Sequence, residues 1–257
     1  MKQNSLKDFL DSKVEQYNTV AFIKDDPICI PHRFSKKQDI EIAGLFAAVF
    51  AWGNRTIIIN KCTDLLRRMD NAPFDFVVNH SDNDLKGLLG FKHRTFNDTD
   101  LLYFIHFLQS HYAKSSSLET AFSNGMKPGD TTIENGLNSF FQTFFSLEDA
   151  PKRTQKHIAA PCKKSTCKRL NMYLRWMVRR DNKGVDFGIW KNISPAQLIC
   201  PIDLHVARVA NRFNLLERKQ IDWLAGLELT KHLRSFDAKD PVKYDFALFG
   251  LGVLEKF

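Results

Sequence analysis

No apolar run in this 257-residue chain reaches bilayer length. The longest, residues 42–52, falls well short of the roughly 20 apolar residues a spanning helix needs, so no membrane association is expected. The opening MKQNSLKDFLDSK carries acids and lacks an apolar segment, which argues against a secretory signal and for the cytoplasm. Cysteine is sparse, five residues at irregular spacing, which excludes a disulfide scaffold and fits reduced thiols. Cys162 and Cys167 have no second Cys pair or His-rich tract to complete a metal site, so neither a metal nor a cofactor is expected. Internal repeats and low-complexity tracts are missing, and no apolar alternation lasts long enough to specify a sheet. Short strands at 21–23 and 56–59 would have no partners.

One absence is local. Residues 151–180 contain no Asp or Glu but ten of the 37 Lys and Arg residues, while the rest of the chain has 27 basic against 29 acidic residues. This single segment gives the chain its +8 charge. A positive field concentrated in this way suits a polyanion, although a solvated basic helix face would read the same.

What is abundant is helical periodicity. Apolar spacing predicts helices over 6–17, 37–52, 56–69, 82–89, 99–113, 117–124, 133–145, 166–180, 203–213, 218–233 and 241–251. Gly53-Asn54 and Asn71-Ala72-Pro73 read as helix stops, and 181–195 as an irregular insertion. The expected fold is all-α, about ten helices, with most of the 22 Phe residues in the core and one or two aromatics near a loop free to stack on a base.

Two residues carry chemistry. Asp203 follows Pro201-Ile202 and opens a helix. As an N-cap it would accept backbone N–H bonds, and the same position keeps a carboxylate oriented and ionised, ready to stabilise a developing cation or activate a water. Lys168 begins another helix, where its charge opposes the dipole and adds nothing to helix stability. It reads either as a phosphate contact or solvated lysine, or as an amine nucleophile among cationic neighbours Lys163, Lys164 and Arg169. His205, two residues beyond Asp203, points to another helix face and reads as a structural histidine.

The segment Ile202-Asp203-Leu204-His205-Val206-Ala207-Arg208-Val209 resembles the aspartate motif of the helix-hairpin-helix DNA glycosylase superfamily, which includes endonuclease III, the adenine glycosylase and 8-oxoguanine DNA glycosylase. Lys168-Arg169-Leu170-Asn171 resembles the Lys-x-x-Asn helix start that follows the hairpin in its bifunctional members. Residues 47–55, ending in Asn54-Arg55, are similar to the early helix and turn that reach the minor groove. These likenesses cover roughly 37–70 and 160–215. Across nearly its full length the chain also resembles a bacterial family of uncharacterised conserved proteins, through the blocks at 167–179, 201–205 and 240–252.

The glycosylase resemblance implies a single unit, 1–257, of two helical lobes around a cleft, acting as a monomer on damaged duplex DNA. A flipped base would enter the cleft. Lys168 would attack the sugar C1′, Asp203 would stabilise the cationic sugar, and a Schiff base would permit strand cleavage. Lys163, Lys164, Ser165, Arg169, Asn54 and Arg55 would contact DNA. Trp52, Asn54, Phe91, His93, Arg94 and Trp190 are the residues from which a base pocket would be drawn. The chain departs from the pattern in three places. Its hairpin, Pro161 to Cys167, has no glycine; Lys168 and Asp203 stand 35 residues apart, across 181–195; and no C-terminal four-cysteine cluster exists to hold an iron–sulfur centre. The alternative is a non-catalytic binder of damaged or structured nucleic acid on the same fold.

Overall fold

The computed structural model describes residues 3–257 and is predominantly α-helical, with thirteen α-helices and six 3₁₀ turns. The lone β pairing among the described residues joins Lys92–His93 to Phe96–Asn97, antiparallel. Sequence alternation could not announce strands of two residues; the turn between them is set by Arg94, whose φ of 55° is left-handed. The two segments read as short strands are helical instead. Residues 21–23 lie in the Val20–Ile23 helix and 56–59 in the Arg55–Arg68 helix. Asn54 caps the latter by accepting from the Ile57 N–H at 3.2 Å, and Ile58, Cys62, Leu65 and Leu66 bury one helical face.

Other boundaries move for similar reasons. Pro73 does not simply stop a helix; it is the first residue of the next, Pro73–Asn79, after Asp70 and Asn71 turn the chain in left-handed geometry. The helix expected from 218 begins at Trp223 and runs to Phe236. Asp222 accepts from the Ala225 N–H at 3.1 Å, and an aspartate gains more as a cap than inside a helix. The segment expected from 241 splits into a Pro241–Lys243 3₁₀ turn and a Tyr244–Val253 helix.

The chain forms two compact units. One comprises Lys24–Met126 and Gly136–Ala159. Its centre is the Lys37–Phe50 helix, buried from Ile40 to Phe50. Phe46, Phe50, Phe91, Phe96, Phe104, Phe140 and Phe144 are all within 1% of full burial and pack ring on ring, as in the 4.9 Å edge contact of Phe50 with Phe96. Each such ring contributes about 1.5–3 kcal/mol of transfer free energy, so this aromatic cluster holds the unit together. Buried Glu41 is satisfied by the Tyr112 hydroxyl, the Ser117 hydroxyl and the Leu118 N–H.

At the surface of this unit the Arg94 guanidinium lies 4.4 Å from the Trp52 ring centroid. Gly53 permits the approach: its φ is +108°, and a β-carbon there would stand 2.5 Å from Arg94 Nη1. Gly53→Ala is expected to cost about 1–2 kcal/mol in urea unfolding, chiefly from backbone strain, because the Arg94 tip can swing away. An unchanged unfolding midpoint would show that the turn has another conformation.

The second unit comprises Ala160–Phe257, Lys127–Asn135 and the described part of Met1–Ile23. Leu10, Val206, Val209, Leu229, Leu248 and Leu251 belong to its core. Tyr17 packs against Gly250, where any β-carbon would collide with its ring. Residues 181–194 form no helix. They fold back on the Lys168–Val178 helix, with Phe187 N–H donating to the Trp176 carbonyl and Trp190 N–H to that of Met177.

Candidate active site

The hairpin ahead of Lys168 is built without glycine. Pro161–Lys163 makes a 3₁₀ turn, and Lys164 and Cys167 take φ of 58° and 52°, the left-handed geometry glycine would supply more cheaply. Side chains offset the strain. The Ser165 hydroxyl accepts from the Cys167 N–H at 3.1 Å, and that of Thr166 from the Lys168 N–H at 3.3 Å. Buried Asn171 donates to the Thr166 carbonyl at 3.0 Å, tying the loop to the helix it starts. The amides of Cys167 and Lys168 are therefore already engaged.

Asp203 caps the Leu204–Arg212 helix: Oδ1 accepts from the His205 and Val206 N–H groups, both at 2.9 Å. Its second oxygen, Oδ2, accepts from Lys168 Nζ at 2.7 Å. The cap and the ion partner are thus the same carboxylate, so capping leaves one Asp203 oxygen for Lys168. Burial pushes the Asp203 pKa up, but the Lys168 charge and hydrogen bond, with the Val206 N–H, outweigh it and hold the group below the usual carboxylate range. The pair is not sealed off: the Lys168 side chain is 34% exposed and that of Asp203 20%. His205 is exposed rather than packed, and it reaches the site through its backbone N–H.

Behind this pair lies a cluster the sequence reading missed. Arg175, on the Lys168–Val178 helix, binds Asp245 through Nη1 and Asp186 through Nε at 3.3 Å. Arg179 binds Asp186 at 3.0 Å, Asp181 at 2.7 Å and Asp240 at 2.8 Å. Both guanidinium groups lie over Phe246, at 4.2 and 5.5 Å. The available signal was Arg175 itself, a lone charge inside Asn171-Met172-Tyr173-Leu174-Arg175-Trp176-Met177-Val178, since a buried arginine demands buried carboxylates.

Burial raises the Asp245 carboxyl to about 6; the Arg175 charge opposes this and that of Asp203 adds to it. A folded-state pKa above the unfolded value near 3.9 means stability from this group is complete below pH 4 and is lost as pH rises through 6. The unfolding free energy of the wild type, minus that of Asp245→Asn, is therefore expected to fall between pH 4 and pH 6.5 in urea titrations. A difference independent of pH would remove Asp245 as a titrating group.

The remaining sequence candidates divide between the units. Lys163 and Lys164 are exposed and Ser165 is half-buried beside Lys168. Arg169 is half-buried, and desolvation lowers its pKa to about 10. Asn54, a helix cap, and Arg55 belong to the phenylalanine-rich unit. Phe91, His93 and Trp190 are at most 2% exposed and act as core; His93 Nε2 lies 3.1 Å from the Phe50 carbonyl oxygen. Nor is the basic segment uniformly available. Arg153, Lys168, Arg175 and Arg179 are paired with carboxylates that lie outside it. Among the described residues no cluster of His, Cys, Asp and Glu could hold a metal, and no helix is long and apolar enough to cross a membrane.

No curated protein and no solved structure matches the chain. Residues 26–254 match a family described as a protein of unknown function (DUF2400). The match takes in the hairpin, Lys168, Asp203 and the Arg175 cluster, and the chain belongs to that family.

Proposed function

We propose that the chain is a DNA base-excision glycosylase with lyase activity, of helix-hairpin-helix architecture, acting as a monomer on a flipped damaged base. The observation that carries this reading is the 2.7 Å bond between Lys168 Nζ and Asp203 Oδ2, which joins two helix starts 35 residues apart in sequence. At rest the pair is ionic. Closing DNA over it would desolvate both charges and favour the neutral form, moving one proton from the ammonium to the carboxylate along that bond. The freed amine then forms a bond to C1′ as the C1′–N glycosidic bond breaks. The base leaves with the electron pair and takes a proton from solvent. Ring opening gives a Schiff base, loss of a C2′ proton expels the 3′ phosphate, and water releases the lysine. Lys163, Lys164, Ser165, Arg169, Asn54 and Arg55 are proposed as DNA contacts.

The test is borohydride trapping on duplexes carrying 8-oxoguanine, uracil, thymine glycol or an abasic site. Asp203→Asn separates chemistry from capping. Asparagine caps as well as aspartate, so the variant should keep its unfolding free energy within about 1 kcal/mol. Its trapping rate should fall at least about 100-fold. Equal losses of stability and trapping would leave Asp203 only a structural role.

A second reading is a non-catalytic binder of damaged or structured nucleic acid. It is favoured by the engaged amides of Cys167 and Lys168 and by the resting ion pair, in which the lysine is a poor nucleophile. It calls for binding that weakens steeply with salt and survives Asp203→Asn, with no adduct on any lesion.

A further inference from the structure

Three helices of one unit meet at the reactive pair, and polar contacts join each to the other two. Lys168 Nζ, donating to Asp203 Oδ2 at 2.7 Å, joins the Lys168–Val178 helix to the start of the Leu204–Arg212 helix. Arg208 Nη2, donating to the Gly252 carbonyl at 2.9 Å, joins the Leu204–Arg212 helix to the Tyr244–Val253 helix. Val206, Val209, Leu248 and Leu251 from these two helices share one buried cluster. Arg175 Nη1, donating to Asp245 Oδ2, joins the Tyr244–Val253 helix back to the Lys168–Val178 helix. Helical spacing aligns these joints. Lys168 and Arg175 lie two turns apart on one face of their helix, as do Asp245 and Gly252 on theirs. The frame is closed, so the Lys168 helix cannot shift against Asp203 without straining the Arg175–Asp245 joint.

We infer that Asp245 is a positioning residue for the reactive pair: through Arg175 it fixes the helix that starts at Lys168 on the helix against which the Asp203-capped helix is seated. Its kinetic consequence rests on the proposed glycosylase chemistry; the joint itself does not. Asp245 also feels the pair. Burial raises its carboxyl to about 6, the Arg175 charge opposes this, the Asp203 charge adds to it and the Lys168 charge opposes it. Cys200 lies within reach of the Asp245, Arg175 and Asp203 charges, and its burial pushes the thiol well up, so it stays protonated. On the neighbouring elements, Asp11 is spent on Lys7 and Lys243 and Asp240 on Arg179, while Asp186 shares Arg175. The joint is therefore a charged pair above pH 6 and loses its anion below it.

Two measurements on the intact protein test it. The first needs no substrate: the Asp245 carboxyl carbon is followed by NMR through a pH titration in the wild type, Asp203→Asn and Lys168→Ala. Its midpoint should drop in Asp203→Asn, which removes a charge that pushes it up, and climb in Lys168→Ala, which removes a charge that pulls it down. A midpoint unmoved by both variants, or moved in the opposite senses, would leave Asp245 serving the fold alone and overturns the inference. The second is borohydride trapping on an abasic-site duplex between pH 5 and pH 8. The pair passes its proton internally, so the wild-type rate should rise through pH 6 as Asp245 ionises. Asp245→Asn keeps a hydrogen bond to Arg175 but no charge. It should trap about tenfold more slowly at pH 7.5, bind the duplex within about twofold of the wild type and lack the rise. A rate and pH profile equal to those of the wild type would also overturn the inference. Where Asp245→Asn does not fold, the titration decides. Where the wild type traps no duplex, the catalytic reading fails, and the titration again decides whether Asp245 is coupled to the pair.

Discussion

Lys168→Ala is expected to abolish covalent trapping on every lesion-bearing duplex and to cut strand nicking by roughly 10³-fold or more, since among the described residues no other side-chain amine bonds the capping aspartate. Stability should change little, because the Lys168 side chain is 34% exposed and a partly exposed ion pair is worth about 0–1 kcal/mol. Losing Lys168 leaves Asp203 its two backbone donors, so the helix cap survives. Lys168→Arg sharpens the comparison: it keeps the charge and the carboxylate contact but cannot deprotonate to a nucleophile. Both variants should bind duplex yet yield no adduct. Adduct formed by either one would move the nucleophile elsewhere and sink the proposed mechanism.

The largest stability effect is expected at Arg175. Its side chain is 4% exposed and its two partners, Asp186 and Asp245, are buried as well. Arg175→Ala removes the cation and leaves Asp245 without its guanidinium partner, at a cost of about 3–5 kcal/mol. Asp186 keeps Arg179, and Asp245 can take up a proton, so the loss should be larger at pH 7.5 than at pH 5. Arg175→Met combined with Asp245→Asn should recover much of the loss, since an apolar replacement leaves no orphaned charge. Urea unfolding of the single and double variants at both pH values checks this. A single variant within 1 kcal/mol of wild type would mean the cluster is solvated.

How much of this was legible can be argued residue by residue. The Asp203 cap could be read from sequence because capping is local: the carboxylate bonds amides two and three positions on. Lys168 was legible as a helix start, and that it shares a site with Asp203 was only implied by the resemblance. Asp186 and Asp245 were not legible, since nothing local in an irregular loop or an apolar C-terminal helix signals a distant arginine. The charge of 151–180 was misleading as a sum, because carboxylates supplied from elsewhere in the chain neutralise four of its cations. The hairpin was opaque for a different reason. Propensity places glycine at left-handed positions, whereas here Lys164 and Cys167 are held there by hydroxyl caps and Asn171. The phenylalanine core was foreseen in kind, and its rings fill one unit.

The loop between Arg180 and Ser194 is pinned near its start by Asp181 and Asp186 and clipped at Phe187 and Trp190 to the end of the Lys168–Val178 helix. Beyond Trp190 the loop is anchored again by buried Ile193 and by Ser194, which caps the Pro195–Gln197 turn. The 2.7 Å bond between Lys168 and Asp203 therefore closes across a loop that is packed near both of its ends. Separation along the chain is thus absorbed by how this loop packs, and the 35-residue interval between Lys168 and Asp203 says little about whether they meet.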